Sequence, residues 1–307
     1  MTTNQTTTTR SFAYATLVAT DSYVVGAQVL RASLLAAGSP YPLVIMHTPR
    51  VSAAGIEQLE KLPNVQLFPV GLIAPAAAQA TSYMFDRFKD VWTKLRVFEL
   101  TQFETVVFLD ADMLCTQRMD ELFGLIDPAP DSLVASLACI CNPMKLAHYP
   151  KSWVPSNCPY WQHEHGMPKS EDGPKYFNSG MMVLHPSTRY GVAYSYACMK
   201  RSRVDIGTFT RLVKHFQAQS NLSRFPFADQ CFLNDMFPNF NVASYKYNAL
   251  KTLRRAHPSV WNMDEVKNIH YILTKPWDVV ERQDDQDDDG FHDLYRIWWR
   301  QRDAAML

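Results

Sequence analysis

Two aspartates one residue apart, Asp110 and Asp112, close the run VVFLDADMLC (106–115). A single Asp at the end of a strand is ordinarily a turn or a cap. A pair that ends four apolar residues, Val106 to Leu109, asks for more. Two ionised carboxylates this close repel each other unless a cation lies between them. Hard oxygen ligands suit Mg²⁺ or Mn²⁺, ions that keep positions open for phosphate oxygens. The spacing therefore points to a phosphorylated substrate held through a divalent cation.

HYILTKPW (270–277) adds a second group, with His270 five residues before Lys275. Alone, such a His is a core residue and such a Lys is solvated. Together, a neutral imidazole can complete the cation's shell, and an ammonium can neutralise a diphosphate leaving group as its bond breaks. Pro276 and Trp277 are expected to fix the loop that carries the Lys. In FNSGMMVL (177–184), Asn178 and Ser179 offer side-chain hydrogen bonds and Gly180 permits close backbone approach, although the same residues also make an ordinary turn before a strand.

These groups need a scaffold that brings strand ends together. Apolar runs at 12–20, 41–48 and 65–70 alternate with helical patterns at 22–38 and 53–61, the β-α-β-α-β order of a parallel α/β sheet. A helix is expected over 89–103, where Trp92, Leu95, Phe98, Leu100 and Phe103 recur, and then a strand over 105–112. A short helix at 119–125, a strand at 133–139, helices near 187–201, 208–219 and 228–237, and a strand-like SYKYNAL (244–250) follow. Residues 1–11 read as a disordered tail, 12–278 as one catalytic domain, and 279–307 as an acidic segment with a last amphipathic helix. The Pro-rich stretch 142–176 lacks periodicity and reads as a long irregular insertion of the functional kind.

The chain has 307 residues, 30 acidic and 30 basic, so it lacks the basic excess of a nucleic-acid binder. No apolar run approaches the ~18–20 residues that cross a bilayer, and the Thr-rich N-terminus is not a secretion signal, so a cytoplasmic location is expected. The six cysteines are sparse and irregular, which favours free thiols over disulfides. Cys139-x-Cys141 lacks the spacing of a zinc knuckle, and no metal role is expected of it; nor is one expected of His163-Glu-His165. Trp153, Tyr160 and Trp161 are expected either to stack on a sugar or to anchor their loop, and Trp298 and Trp299 to pack on the domain or on a second copy in a homodimer.

ATLVATDSYVVGAQVL, TKLRVFEL, FLDADML, FNSGMMVL, ADQCFLN, YKYNAL and HYILTKPW, in that order, resemble glycosyltransferase family 8, in particular its glycogenin-like and galactinol-synthase-like members. The resemblance implies a GT-A fold, a Rossmann-like, mostly parallel α/β sheet with helices on both faces. It implies retaining transfer of glucose or galactose from a UDP-sugar to a hydroxyl acceptor such as a polyol, a saccharide or a small natural product, with Mn²⁺. Carried over by position, Asp110, Asp112 and His270 become the metal ligands, and Leu17, Ala19, Thr20 and Tyr23 the uridine site, with Tyr23 stacked on the base. Lys94, Asp110, Ala111, Asn178, Ser179 and Gly180 become contacts to the phosphates and the sugar. Asp229 and Gln230 lie near the anomeric carbon, and Lys275 steadies the β-phosphate. The chain departs from the family in three places. Pro226 replaces a common acid, Ile272 and Leu273 stand where a glycine is usual, and no tyrosine lies between Asn248 and His270 to serve as a self-acceptor. A catalytically idle sugar-nucleotide binding protein and a nucleotidyltransferase using the Asp pair are the competing readings.

Overall fold

Alternate residues of each central strand enter two different cores. Val106 and Phe108 belong to one and Val107 and Leu109 to the other; Met182 and Leu184 divide from Met181 and Val183 in the same way. A strand covered on both faces reads as an unbroken apolar run, and the fold follows from that. The computed structural model describes residues 11–77, 79, 91–127, 132–143, 145–147, 149–167, 175–187, 207–281 and 289–306.

The strands are β1 (Phe12–Val18), β2 (Leu43–His47), β3 (Val65–Pro69), β4 (Thr105–Leu109), β5 (Met113–Cys115), β6 (Leu133–Leu137), β7 (Phe177–Leu184), β8 (Asn241–Ala243), β9 (Ala249–Leu250) and β10 (Asn268–His270). The helices are α1 (Val24–Ala36), α2 (Ala53–Glu60), α3 (Pro159–Glu164), α4 (Thr208–Ala218), α5 (Asp229–Met236), α6 (Lys251–Ala256) and α7 (His292–Met306). Seven strands form one sheet in the order β3-β2-β1-β4-β7-β6-β8, and only β7 opposes the common direction. Helices α1 and α2 cover one face through Val24, Leu30, Leu34 and Leu59, and α4 and α5 cover the other through Leu212, Phe216, Phe232 and Leu233. A second sheet, β5-β10-β9, packs with α7 and Val29 of α1 around a third core.

Four expectations change. The helix expected over 89–103 is a 3₁₀ helix over Val91–Glu99, and residues 89 and 90 lie outside the described residues. Three residues per turn stack Trp92, Leu95 and Phe98 in one buried row, which the eye reads as α-helical spacing. The short helix expected at 119–125 is also 3₁₀, over Asp120–Gly124. SYKYNAL is a 3₁₀ turn (Tyr245–Tyr247) followed by the two-residue β9 rather than one strand. The 142–176 stretch contains α3, so it is not wholly irregular. The expected helix at 187–201, the tail before residue 11 and most of the acidic run at 284–290 lie outside the described residues. Trp298 and Trp299 are buried within the chain, where the Trp299 indole N–H donates to the Pro276 carbonyl at 2.9 Å. Among the described residues no helix is long and apolar enough to cross a membrane.

Candidate active site

Because β7 runs against its neighbours, its first residues meet the carboxyl ends of β1, β4 and β6 at one edge of the sheet. That edge is where open α/β sheets bind ligands. A cavity of about 440 Å³ opens there, and every expected site residue lines it except Gly180. Leu17, Ala19, Thr20 and Tyr23 come from the end of β1 and the turn after it; Asp110, Ala111 and Asp112 from the β4–β5 loop; Asn178 and Ser179 from the start of β7. Asp229 and Gln230 open α5, and Lys275 follows β10.

The small sheet carries His270 to the aspartates. Antiparallel pairing sets His270 opposite Met113, and the Tyr271 amide donates to the Asp112 carbonyl at 2.9 Å. His270 Nε2 then lies 3.2 Å from Asp112 Oδ1 and 3.8 Å from Asp110 Oδ2, and one ligand atom from each of the three groups falls within 4.8 Å of the others. Asp112 and His270 are buried, whereas Asp110 opens to the cavity. Two carboxylates and an imidazole converging at such range fit a six-coordinate Mn²⁺ or Mg²⁺ that keeps further positions for phosphate oxygens.

The imidazole is oriented from behind. Asn248 Oδ1, which can only accept, sits 2.8 Å from His270 Nδ1, so Nδ1 carries the proton and the Nε2 lone pair faces the aspartates. Asn248 Nδ2 donates in turn to Asn178 Oδ1 at 2.9 Å, and Asn178 Nδ2 donates to Gln230 Oε1 at 2.8 Å. Sequence reasoning missed Asn248 as a site residue, although it lies within the YKYNAL motif; its signal is a carboxamide two residues before a Leu that pairs with His270 across β9 and β10.

Gly180 lies beneath this array rather than in the cavity. A Cβ there would sit 2.9 Å from His270 Nδ1 and 2.9 Å from Asn178 Oδ1, and closer still to His270 Cε1. Gly180→Ala is expected to displace the imidazole and weaken divalent-cation binding by roughly 10–100-fold, the scale of disturbed outer-shell support. Titration of the Mn²⁺ electron-spin signal with protein measures this; unchanged affinity shows that the ring has room to move. Gly26 of α1 answers a similar demand, since a Cβ there would overlap the Ala111 carbonyl oxygen and lie 2.9 Å from the Trp277 ring.

Two lysines balance the acids. Lys94 Nζ lies 2.9 Å from Asp110 Oδ1 and 3.1 Å from Asp229 Oδ2. Burial alone lowers its pKa, but the two carboxylates outweigh burial and hold it protonated. Burial raises the Asp229 pKa; Lys94 opposes this and Asp110 adds to it, and the balance is upward. Asp229 Oδ2 also accepts from the Ser179 hydroxyl at 3.0 Å. Lys275 Nζ pairs with Asp112 Oδ2 and donates to the Tyr271 carbonyl at 3.1 Å. Burial raises the Asp112 pKa, but the Lys275 ammonium beside it outweighs burial and holds the carboxyl well below the usual range.

As expected, Pro276 and Trp277 fix the Lys275 loop. Trp277 meets Tyr23 edge-on, with centroids 5.6 Å apart, and Trp298 at 5.5 Å. Backbone strain marks the site twice. Leu273, where a glycine is usual, has φ of 66°, and Ala228, just before Asp229, has φ of 44°. Such conformations cost about 1–3 kcal/mol each and persist where surrounding structure enforces them. In the 142–176 stretch Tyr160 and Trp161 anchor their loop: the Tyr160 hydroxyl donates to the Leu137 carbonyl at 2.8 Å, and Trp161 stacks on His165 at 3.9 Å. Trp153 lines the cavity and stacks on Phe227 at 4.8 Å.

The family model for glycosyl transferase family 8 matches residues 15–280. The chain belongs to glycosyltransferase family 8. Among curated members of the family, galactinol synthase 1 of Solanum lycopersicum is 27% identical over 294 residues, covering 94% of this chain and 81% of that protein. The galactosyltransferase LgtC, solved with donor and acceptor sugar analogues, superposes with a TM-score of 0.60 at 16% identity and covers 95% of each chain. Mouse xyloside xylosyltransferase 1 superposes with a TM-score of 0.52 at 15% identity, covering 87% of this chain and all of that one. The architecture is the GT-A fold expected of the family, with helices on both faces of a mostly parallel sheet.

Proposed function

We infer that this family 8 glycosyltransferase moves a hexose, galactose or glucose, from a UDP-sugar to a hydroxyl acceptor with retention of configuration, using Mn²⁺. The observation that carries the reading is the convergence of Asp110, Asp112 and His270 beside two buried lysines at one cavity. In this reading residues 12–278 act as one catalytic domain, and α7 supports the loop that carries Lys275.

The cation would be held by Asp110, Asp112 and His270, and when bound it would offset negative charge on the diphosphate. Leu17, Ala19, Thr20 and Tyr23 would receive the uridine, with Tyr23 beside the base. Ala111 would approach the nucleotide through its backbone, and Asn178, Ser179 and Gly180 would border the sugar. Lys275 would neutralise charge on the departing β-phosphate, a preorganised electrostatic role. Lys94 would bridge Asp110 and Asp229, setting one positive charge between the two carboxylates. Asp229 would position the sugar and stabilise positive charge at its anomeric carbon. Its Oδ2 already accepts from Lys94 and Ser179, which favours that role over covalent attack and so favours front-face transfer by the acceptor hydroxyl. Gln230, fixed by Asn178 and by its own bond to Tyr176, would stand beside the same carbon.

The test is release of UDP from a panel of UDP-galactose, UDP-glucose and UDP-xylose, with Mn²⁺ or with EDTA and with polyol and saccharide acceptors. The named galactosyl relatives put UDP-galactose first, and the xylosyltransferase neighbour brings UDP-xylose onto the panel. Release from one UDP-hexose that needs Mn²⁺ is expected. Tight UDP-sugar binding without turnover on any acceptor would return the idle-binder reading, and release of sugar 1-phosphate with transfer of the uridylyl group would return the nucleotidyltransferase.

A further inference from the structure

Cys139, Cys141, Cys158 and His257 come from three separate places: the segment after β6, the residue before α3, and the residue that ends α6. The fold nonetheless turns all four onto one point. His257 Nε2 lies 3.3 Å from Cys139 Sγ, 3.3 Å from Cys141 Sγ and 3.6 Å from Cys158 Sγ, and the Cys139 and Cys158 sulfurs are 4.0 Å apart. One nitrogen lone pair accepts one good hydrogen bond, so three sulfurs around it are not explained by hydrogen bonding. A shared ion does explain them. For bond lengths of about 2.3 Å to sulfur and 2.0–2.1 Å to nitrogen at tetrahedral angles, S···S is about 3.8 Å and S···N about 3.6 Å. The observed separations are close to both.

The support around the cluster is that of a ligated histidine. Glu164 Oε2 lies 2.6 Å from His257 Nδ1, which leaves Nε2 as the atom facing the sulfurs, and the Ser259 hydroxyl donates to the other Glu164 oxygen. A carboxylate–histidine pair of this kind fixes the tautomer and raises ligand basicity. Ala138 and Ile140 pack around it with Trp153, Tyr160 and Trp161, a largely apolar surround. A disulfide does not account for the group, because the three sulfurs are free and an odd one would be left over.

We propose that Cys139, Cys141, Cys158 and His257 form a structural Zn²⁺ site, distinct from the Asp110–Asp112–His270 group. With three thiolates and one imidazole the tetrahedron is closed, so the ion is structural rather than catalytic. The thiols release their protons as the ion binds. The thiols are free, as expected; the proposal departs only from the expectation that Cys139-x-Cys141 has no metal role, because the spacing is too short for a knuckle by itself and the other two ligands lie 17 and 116 residues beyond Cys141. The ion would tie α3 and the end of α6 to the segment after β6. Asn142, Leu146 and Tyr149 in that segment line the cavity wall.

Metal analysis of the full-length protein, purified without chelator, is expected to give one zinc per chain that withstands EDTA dialysis sufficient to strip Mn²⁺. Mercurial modification of the thiols should release it. Growth on Co²⁺ should give the intense visible bands of a tetrahedral thiolate site. Asp112→Asn should keep its zinc, which separates the two sites, while Cys158→Ser should lose it. If Cys158→Ser does not accumulate, the cobalt spectrum of the unaltered protein decides. Substoichiometric zinc with three freely titrating thiols, a Cys139–Cys158 disulfide in the intact mass, or zinc retained by Cys158→Ser would each overturn the assignment.

Discussion

Asp112→Asn is expected to lower UDP release by at least roughly 10²–10³ and to abolish the Mn²⁺ dependence of UDP binding, the scale on which losing one preorganised charge-stabilising group acts. Asp112 Oδ1 faces His270 Nε2 at 3.2 Å, and its Oδ2 pairs with Lys275. The carboxamide keeps the shape and one acceptor for Lys275, but it is a neutral, poorer ligand for a hard dication. The fold should survive, because His270 remains held through Asn248 and β10 remains paired with β5. Ala is the less informative change. It leaves the Lys275 ammonium buried without its counterion, at a cost of about 3–5 kcal/mol, so lost activity would mix with lost stability. Kinetics, calorimetric titration of UDP with and without Mn²⁺, and the thermal midpoint separate these effects. Full activity at saturating donor would remove Asp112 from the site.

The acidic half of this site was legible because one strand states it. VVFLDAD is unbroken and apolar up to Leu109, and such a run ending in carboxylates implies a strand end that faces a ligand. Lys94 was legible as a position but not as a conformation, since residues at spacing three read equally as α-helix until the buried row Trp92–Leu95–Phe98 is seen. His270 gained meaning only beside Lys275 and the family resemblance, because pairing between β5 and β10 joins residues more than 150 apart. Asn248, Glu164 and the Cys139–His257 cluster depend wholly on such long-range assembly. No local period marks a carboxamide that will orient a histidine. The missing glycine was visible in the sequence, but its consequence, Leu273 held at positive φ, was not.

Lys275→Ala should lower kcat by roughly 10²–10³ while changing the KM for the UDP-sugar much less, because a group that meets charge developing on the leaving oxygen acts in the transition state. The competing explanation is that Lys275 serves only as the partner of Asp112. Removing it would then leave Asp112 without its ammonium, raise the carboxyl pKa from its depressed value, and weaken the cation site. The two explanations part on one variable. If Lys275 acts through Asp112 alone, saturating Mn²⁺ restores kcat; if it meets the diphosphate, the loss persists at any Mn²⁺ concentration. A donor with a better leaving group discriminates further, since it needs less charge neutralisation and should recover more of its rate in Lys275→Ala than the natural diphosphate does. The loop is rigid enough for this comparison: Trp277 is wedged between Tyr23 and Trp298, and the Pro276 carbonyl is bonded to Trp299, so removing the lysine side chain leaves its backbone in place. An unchanged kcat at saturating Mn²⁺ would leave Lys275 a structural counterion and move the search for the leaving-group cation to Lys94.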